Sequence, residues 1–226
     1  MFSEDRHPRP DFKREHWMLL DGEWDFCFDE GMVYTEAGKV IFDRKIMVPY
    51  VYQSQLSGIN DQRKCDCVWY RKQFEMNNEL KPEEKVILHL GACDYEARVF
   101  VNGRLAKVHN GGYSSFHVDI TDSIHWGNNE ITVRVVDCFE DKSQPRGKQT
   151  WTCISPFGCV YTAYTGLWQS VWLEFVHTTH IEAFTVIPDI DERSIHLTVT
   201  ANCSRKARLK IQVTYQGKKI KEHSPI

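Results

Sequence analysis

The sequence predicts an all-β protein, with one complete β-sandwich followed by the first strands of a second. Apolar residues alternate with polar ones over short stretches from residue 22 to residue 215, whereas the spacing of an amphipathic helix is almost absent. These stretches are separated by turn dipeptides such as Asp21-Gly22 and Asn102-Gly103. Short strands with one buried face, joined by tight turns, are typical of sandwich folds.

The strands of the first sandwich can be placed in order. After Asp21-Gly22, aromatic residues alternate with small or acidic ones, which predicts a strand with a single buried face. The buried face is predicted to hold Trp24, Phe26 and Phe28, and the solvent face Asp25, Cys27 and Asp29. Similar alternation at 86–90, 116–120 and 131–135 predicts three further strands. Residues 98–101 and 105–108 flank Asn102-Gly103, a dipeptide that tolerates positive φ at both turn positions, and this predicts a hairpin.

A long loop interrupts the alternation from Cys138 to Thr165, where polar residues, Pro, Gly and aromatics replace it. Connections of this length are uncommon and usually functional. A continuous strand is predicted over 167–176, which completes a first domain at 1–179.

A second domain is predicted at 180–226, with strands at 181–187, 195–201 and 209–215. A complete immunoglobulin-like sandwich needs about seven strands in roughly 100 residues. Because only three or four are present, we expect further polypeptide to complete it.

Composition excludes several classes of partner. The 226 residues carry a formal net charge of −3, which provides no positive field for nucleic acid, and no apolar run approaches membrane-spanning length. The N-terminus lacks the pattern of a secretion signal, so the eight cysteines are interpreted as reduced thiols and the expected location is cytoplasmic. The spacing of Cys65 and Cys67 does not match a zinc site, so neither a metal nor a cofactor is predicted.

Several segments together resemble the N-terminal sugar-binding domain of family 2 glycoside hydrolases, the family of β-galactosidase, β-glucuronidase and β-mannosidase. Each is weak alone, but their order and spacing across residues 8–176 is specific. The segments include Leu20-Asp21-Gly22-Glu23-Trp24, Trp69-Tyr70-Arg71, Val99-Phe100-Val101-Asn102-Gly103, His109-Asn110-Gly111-Gly112-Tyr113, Arg146-Gly147-Lys148-Gln149 and Thr165-Gly166-Leu167-Trp168-Gln169.

The resemblance implies a jelly-roll β-sandwich, then an immunoglobulin-like sandwich, then an (α/β)₈ barrel that carries two catalytic glutamates. It therefore implies an enzyme that hydrolyses O-glycosidic bonds, with no catalytic residue in this chain. The partners it implies are an oligosaccharide or glycoside, the chain's own missing C-terminal barrel and a second copy in a homo-oligomer. Acids such as Asp119 and Asp137 are interpreted as structural.

In this family the long loop reaches the edge of the sugar pocket, and its polar and aromatic residues fit that use. Amide and cationic groups hydrogen-bond hydroxyls or carboxylates, and aromatic rings stack on sugar faces. The predicted contacts are Arg146, Lys148, Gln149, Trp151, Tyr161 and Tyr164. An equal alternative is that Arg146 and Lys148 form interdomain salt bridges and that Trp151 and Tyr161 pack the loop down. Several relatives place an Asp six residues before the motif glycine, but this chain has Val160 there, so neither galactose, glucuronate nor a sodium ion is predicted.

Two other functions remain open at this point. Jelly rolls also serve as free-standing carbohydrate-binding modules. A structural or oligomerisation domain is the other possibility, and it would leave the long loop without ligand contacts.

Overall fold

The computed structural model describes residues 6–150, 158–203 and 206–224, and it divides into two compact units, Met1–Phe175 and Val176–Ile226. The first twelve strands, in chain order, are β1 (Trp17–Leu19), β2 (Gly22–Phe28), β3 (Arg44–Val48), β4 (Cys67–Met76), β5 (Glu84–Leu90), β6 (Cys93–Asp94), β7 (Glu96–Val101), β8 (Arg104–Asn110), β9 (Phe116–Asp119), β10 (Gly127–Val136), β11 (Gly166–Leu167) and β12 (Val171–His177). The only helices among the described residues are four single turns of 3₁₀ helix, at Pro10–Phe12, Ala37–Lys39, Gln55–Ser57 and Thr121–Ser123.

Two antiparallel sheets form the predicted sandwich. The six-stranded sheet has the order β3-β2-β4-β10-β7-β8, and the four-stranded sheet has the order β1-β12-β5-β9. Buried residues from both sheets make one core that includes Trp24, Tyr70, Leu88, Val133 and Leu173. Large aromatic and branched side chains on the two inner faces supply the apolar area that stabilises such a sandwich.

The alternation predicts most strand faces correctly, but β2 has two buried faces. Trp24 and Phe26 point into the core, as predicted. Cys27, expected on the solvent side, is buried in a second cluster with Cys67 and Trp69. The prediction was wrong because the segment around Ala37–Lys39 covers this outer face, and period-two alternation carries no information about such a cover.

Asp29, also predicted to face solvent, is buried at the end of the same strand. Its Oδ2 accepts a hydrogen bond from Trp69 Nε1 at 3.0 Å, and its Oδ1 accepts one from the Val33 backbone N–H at 2.7 Å. The carboxylate therefore fixes the turn after β2, and these hydrogen bonds compensate for its burial.

The predicted hairpin at Asn102-Gly103 is confirmed. Asn102 and Gly103 have φ values of 49° and 78°, and they join β7 to β8. The Asn102 side chain also binds two neighbouring segments, because its Nδ2 donates to Ser123 O at 2.7 Å and its Oδ1 accepts from the Glu130 N–H at 2.9 Å. Asparagine is thus needed both for positive φ and for these bonds.

Replacing Asn102 with alanine should lower the free energy of unfolding by about 2–3 kcal/mol, because hydrogen bonds are lost and alanine tolerates positive φ poorly. Urea denaturation measures this. Asn102→Gly is the control, since it keeps the backbone conformation, and it should lose only about half as much. Equal losses in the two variants would show that the backbone conformation contributes nothing.

The predicted continuous strand over 167–176 is wrong. β11 pairs with β6, with Gly166 opposite Asp94, whereas β12 pairs with β1 in the four-stranded sheet. Between them, the Trp168 indole N–H donates to Gly112 O at 2.7 Å, and the Gly91 N–H donates to Ser170 O at 2.9 Å. Contacts with distant segments therefore interrupt the strand between β11 and β12, although the residues there are apolar enough to continue it.

The second unit contains two hairpins. β13 (His180–Asp189) pairs with β14 (Ser194–Asn202), and β15 (Ile211–Tyr215) pairs with β16 (Lys218–His223). Gln216 and Gly217 have φ values of 48° and 75° in the second turn. In the described ranges, no helix is long and apolar enough to cross a membrane.

Candidate functional site

The long loop, residues 138–165, is held at its base by a buried carboxylate. Asp137 directly follows β10, and its Oδ1 accepts from Gln144 Nε2 while its Oδ2 accepts from Thr165 Oγ1, both at 2.5 Å. One side chain thus ties together two points 21 residues apart in the loop. Burial raises the pKa of Asp137, although the hydrogen bonds from Thr165 and Gln144 act in the opposite direction.

A second buried carboxylate holds the middle of the loop. Asp94, in β6, accepts a hydrogen bond from Gln149 Nε2 at 2.6 Å. Gln149 Oε1 in turn accepts from the Tyr164 N–H at 2.9 Å, and Gln149 Nε2 lies 3.4 Å from Tyr113 Oη. The amide of Gln149, one of the predicted sugar contacts, is therefore fully engaged by protein groups and buried.

The two predicted cations occupy different environments. The Arg146 side chain is 11 % exposed, with Nη1 3.8 Å from Asp137 Oδ1, and its Nη2 donates to the Cys138 carbonyl. Its guanidinium carbon lies 5.4 Å from the centroid of the Phe139 ring. Lys148 is exposed. Arg146 is thus a loop-packing residue with one edge at the surface, and Lys148 is solvated.

The predicted aromatic residues also differ. Tyr161 is 66 % exposed, and its backbone N–H and C=O bond to Lys148 O and the Thr150 N–H, each at 2.7 Å. Tyr164 is half-buried. Trp151 lies outside the described residues. The structure therefore brings the segments around Lys148 and Tyr161 together and presents the Tyr161 ring to solvent.

Tyr164 belongs to an aromatic cluster that the sequence analysis did not identify as a site. Its ring centroid lies 6.4 Å from that of Tyr113 and 5.7 Å from that of Trp168, and the latter two are 6.1 Å apart. All three pairs have edge-to-face geometry, and Tyr113 is 52 % exposed. Tyr113 and Trp168 both lie in motifs that the resemblance uses, which is the signal that could have identified them.

A cleft of about 710 Å³ opens beside the loop. Lys64, Phe139, Lys142, Arg146 and Gln149 are among its lining residues. Arg146 Nη1 is buried and has no hydrogen-bond partner among the described residues, and its charge is offset by Asp137 Oδ1, 3.8 Å away. The lining also includes the acids Glu140 and Asp141, so the cleft offers both donors and acceptors to a polar ligand.

Comparison with known proteins identifies the family of this domain. A family model described as the sugar binding domain of family 2 glycosyl hydrolases matches residues 38–153, just over half of the chain. The chain belongs to this family. The match includes β3 to β10 and most of the described part of the long loop, so the cleft lies in the family 2 sugar-binding domain.

Relatives with named activities are glycosidases. The β-galactosidase of Thermoanaerobacter pseudethanolicus is 32% identical over 142 residues, which cover 61% of this chain and 18% of that protein. The putative β-glucuronidase of Formosa agariphila is 28% identical over 147 residues, covering 64% and 16% respectively. Mouse β-glucuronidase is 26% identical over 173 residues, covering 69% and 27%. The chain thus spans less than a third of each of these relatives.

Solved structures share the all-β fold of this chain. A Faecalibacterium prausnitzii β-glucuronidase matches with a TM-score of 0.73 at 20% identity, covering 94% of this chain and 40% of its own. A Ruminococcus gnavus β-glucuronidase in complex with D-glucuronic acid matches with a TM-score of 0.70 at 18% identity, covering 95% and 39%. At these identities the likeness concerns the fold alone.

Acidic residues of the family 2 domain are mostly engaged in structural bonds. Asp119 Oδ2 accepts from Lys85 Nζ at 2.8 Å, and Glu96 Oε1 accepts from Arg98 Nε at 2.8 Å. Within the described ranges, no group of three or more His, Cys, Asp or Glu side chains could hold a metal ion. Asp94 was missed in the sequence, because a single acid within a short strand gives no local signal.

Proposed function

We propose that this chain is the N-terminal, non-catalytic region of a family 2 glycoside hydrolase that hydrolyses O-glycosidic bonds in carbohydrate metabolism. The match of the family 2 sugar-binding model to residues 38–153 carries the proposal. It is supported by relatives that are named as glycosidases and are several times longer than their matched region.

The long loop is the part of the chain that we assign to the edge of the sugar pocket. Two buried carboxylates, Asp94 and Asp137, hold Gln144, Gln149 and Thr165 of the loop in place. Groups that are already held in position bind a ligand with little loss of entropy. The exposed Tyr161 ring and the Tyr113 edge are the groups suited to contact a glycoside. The sandwich itself would serve as a scaffold for a barrel outside this chain.

Catalysis would then depend on residues outside this chain. A retaining glycosidase needs two carboxyl groups about 5–5.5 Å apart, one as nucleophile and one as acid/base. The buried acids Asp94 and Asp137 instead each hold protein donors, through Gln149, Gln144 and Thr165.

The isolated chain should show no turnover of nitrophenyl β-galactoside, β-glucuronide or β-mannoside. Absorbance of released nitrophenol measures this, with a family 2 relative such as the Thermoanaerobacter β-galactosidase as positive control. Hydrolysis by the purified chain that survives removal of trace contaminants would contradict the proposal.

A free-standing carbohydrate-binding module is the second candidate, and the aromatic cluster of Tyr113, Tyr164 and Trp168 favours it. Calorimetry with galactose, glucuronate, mannose and their β-linked disaccharides separates the two. An edge of a larger pocket should bind these sugars at millimolar concentration or not detectably, whereas a module should bind one of them at micromolar concentration and lose that affinity in Tyr161→Ala or Tyr113→Ala.

For the location of the protein we propose the cytoplasm. Six cysteines are free thiols, and four of them are buried: the buried ones are Cys27, Cys65, Cys67 and Cys93, and the others are Cys138 and Cys159. Burial raises the pKa of Cys27 and of Cys67 to about 12, which suppresses the reactive thiolate. These thiols suit a reducing compartment. To test their oxidation state, cells are quenched in acid and the denatured protein is then alkylated; reduced thiols should be alkylated without prior treatment with a reductant.

A further inference from the structure

Asp94 is a buried acid at the sandwich end that carries the long loop. It is 1 % exposed, it lies opposite Gly166 in the β6–β11 pair, and its Oδ1 has no hydrogen-bond partner among the described residues. Gly112 packs directly against it, because a Cβ at position 112 would overlap Oδ1 and lie 3.0 Å from Oδ2. Burying a carboxyl group costs free energy because it loses its hydration. The contacts of Asp94 therefore indicate its structural role.

The contacts of Asp94 lead to the aromatic cluster. Its Oδ2 accepts from Gln149 Nε2 at 2.6 Å, and Gln149 Oε1 accepts from the Tyr164 N–H at 2.9 Å. The Tyr164 ring then meets the Trp168 ring, and the Trp168 indole N–H donates to Gly112 O at 2.7 Å. The chain of contacts therefore closes on itself, since Gly112 packs against Asp94.

We propose that Asp94 is the positioning residue of the sugar-facing loop: through Gln149 it fixes the Tyr164 backbone and thereby the aromatic face formed by Tyr164, Trp168 and Tyr113. This inference rests on the proposed function for its sugar ligand, but the positioning itself rests only on the contacts above. Gln149 then links β6 to the loop through its hydrogen bonds and does not contact the sugar.

Charge on Asp94 should modulate this anchor. Burial raises the pKa of Asp94 to about 7, with the nearby Asp137 acting in the same direction and Gln149 and Arg146 acting against it. Because the folded pKa exceeds the usual value of 3.8, protonated Asp94 stabilises the folded site, and this contribution is lost as the pH rises toward 7, although the Gln149 hydrogen bond by itself favours the carboxylate. Tyr164, which also faces Asp94, keeps its hydroxyl proton throughout this range because its own pKa is raised.

Hydrogen exchange of the Tyr164 amide, measured in the full chain between pH 5 and pH 8, tests the anchor. In the unmodified chain, the protection factor should fall by at least about tenfold from pH 5 to pH 7.5 and then level off, since one pKa unit corresponds to a factor of ten. Asp94→Asn keeps an acceptor for Gln149 and no charge, so protection should stay high and independent of pH. Asp94→Ala should be poorly protected at every pH, and Asp119→Asn, an exposed control, should behave like the unmodified chain.

The outcomes separate the two proposals. Unchanged Tyr164 protection in Asp94→Ala, or an unchanged pH step in Asp94→Asn, would overturn the positioning role whatever the chain binds. If the protection behaves as expected but neither the chain nor the complete enzyme binds or hydrolyses any sugar of the panel, the positioning role stands and the proposed function fails. In the complete enzyme, Asp94→Ala should raise KM for a nitrophenyl glycoside several-fold more than it lowers kcat, and Asp94→Asn should restore KM.

Discussion

Replacing Glu174 with alanine is expected to lower the free energy of unfolding by about 3–5 kcal/mol, because it leaves a buried cluster of cationic and imidazole groups without their anion. Glu174 is 1 % exposed in β12. Its carboxylate accepts from Arg14 Nε at 2.9 Å and Trp172 Nε1 at 3.1 Å, and it lies 3.5 Å from His7 Nε2 and 3.4 Å from His89 Nε2. These contacts join the N-terminal segment to two strands of the four-stranded sheet.

The pH dependence of a second variant at this position, Glu174→Gln, gives an independent check. Burial acts to raise the pKa of Glu174, but hydrogen bonds and charge from His89, with hydrogen bonds from Trp172 and Arg14, outweigh it and lower the pKa to about 2. A carboxyl group with a depressed folded pKa contributes stability above its ordinary value of 4.5, and this contribution is lost as the pH falls toward 2. The stability difference between the unmodified chain and Glu174→Gln should therefore shrink between pH 5 and pH 2.

Urea denaturation followed by tryptophan fluorescence measures both effects. Glu36→Ala is the control, because Glu36 pairs with Lys39 at the exposed surface, where such pairs contribute at most about 1 kcal/mol. A loss in Glu174→Ala no larger than that in Glu36→Ala would show that the cluster does not stabilise the sandwich.

Local features of the fold could be predicted from the sequence, whereas contacts between distant segments could not. The Asn102-Gly103 hairpin and the buried face of β10 follow from turn chemistry and alternation, which act within a few residues. The break at Trp168 depends on Gly112, 56 residues away, and the burial of Cys27 depends on a covering segment. The alternation within a strand gives no information about either of these two contacts.

The candidate site shows the same division. Pro, Gly and polar residues between 138 and 165 predict a long loop, and its described parts, 138–150 and 158–165, contain no strand. Residue type alone, however, does not say which way a side chain points. Gln149 turns inward because Asp94, 55 residues earlier in the chain, accepts its amide hydrogen. Tyr161, by contrast, presents its ring to solvent, as a sugar-stacking residue must.

Gly166→Ala is expected to destabilise the sandwich by about 3–5 kcal/mol, since it combines overpacking with an unfavourable backbone conformation. Gly166 has a φ of 108°, and a Cβ there would overlap the hydroxyl of Tyr70 and lie 2.9 Å from its Cζ, in a fully buried position. Tyr70→Phe removes the overlapping oxygen, so the loss in the double variant should be about 1–2 kcal/mol smaller than in Gly166→Ala alone.

Thermal or urea unfolding of four chains measures this: the unmodified chain, Gly166→Ala, the double variant with Tyr70→Phe, and Gly38→Ala. Gly38 is the matched control, because a Cβ there meets no atom within 4 Å, so its replacement should change stability by less than about 0.5 kcal/mol. Because Gly166 lies opposite Asp94 and next to Thr165, which binds Asp137, its replacement should also loosen the end of the long loop. Full stability in Gly166→Ala would mean that β11 can move away from Tyr70 without cost, and the loop would then lack the rigid support on which its proposed role depends.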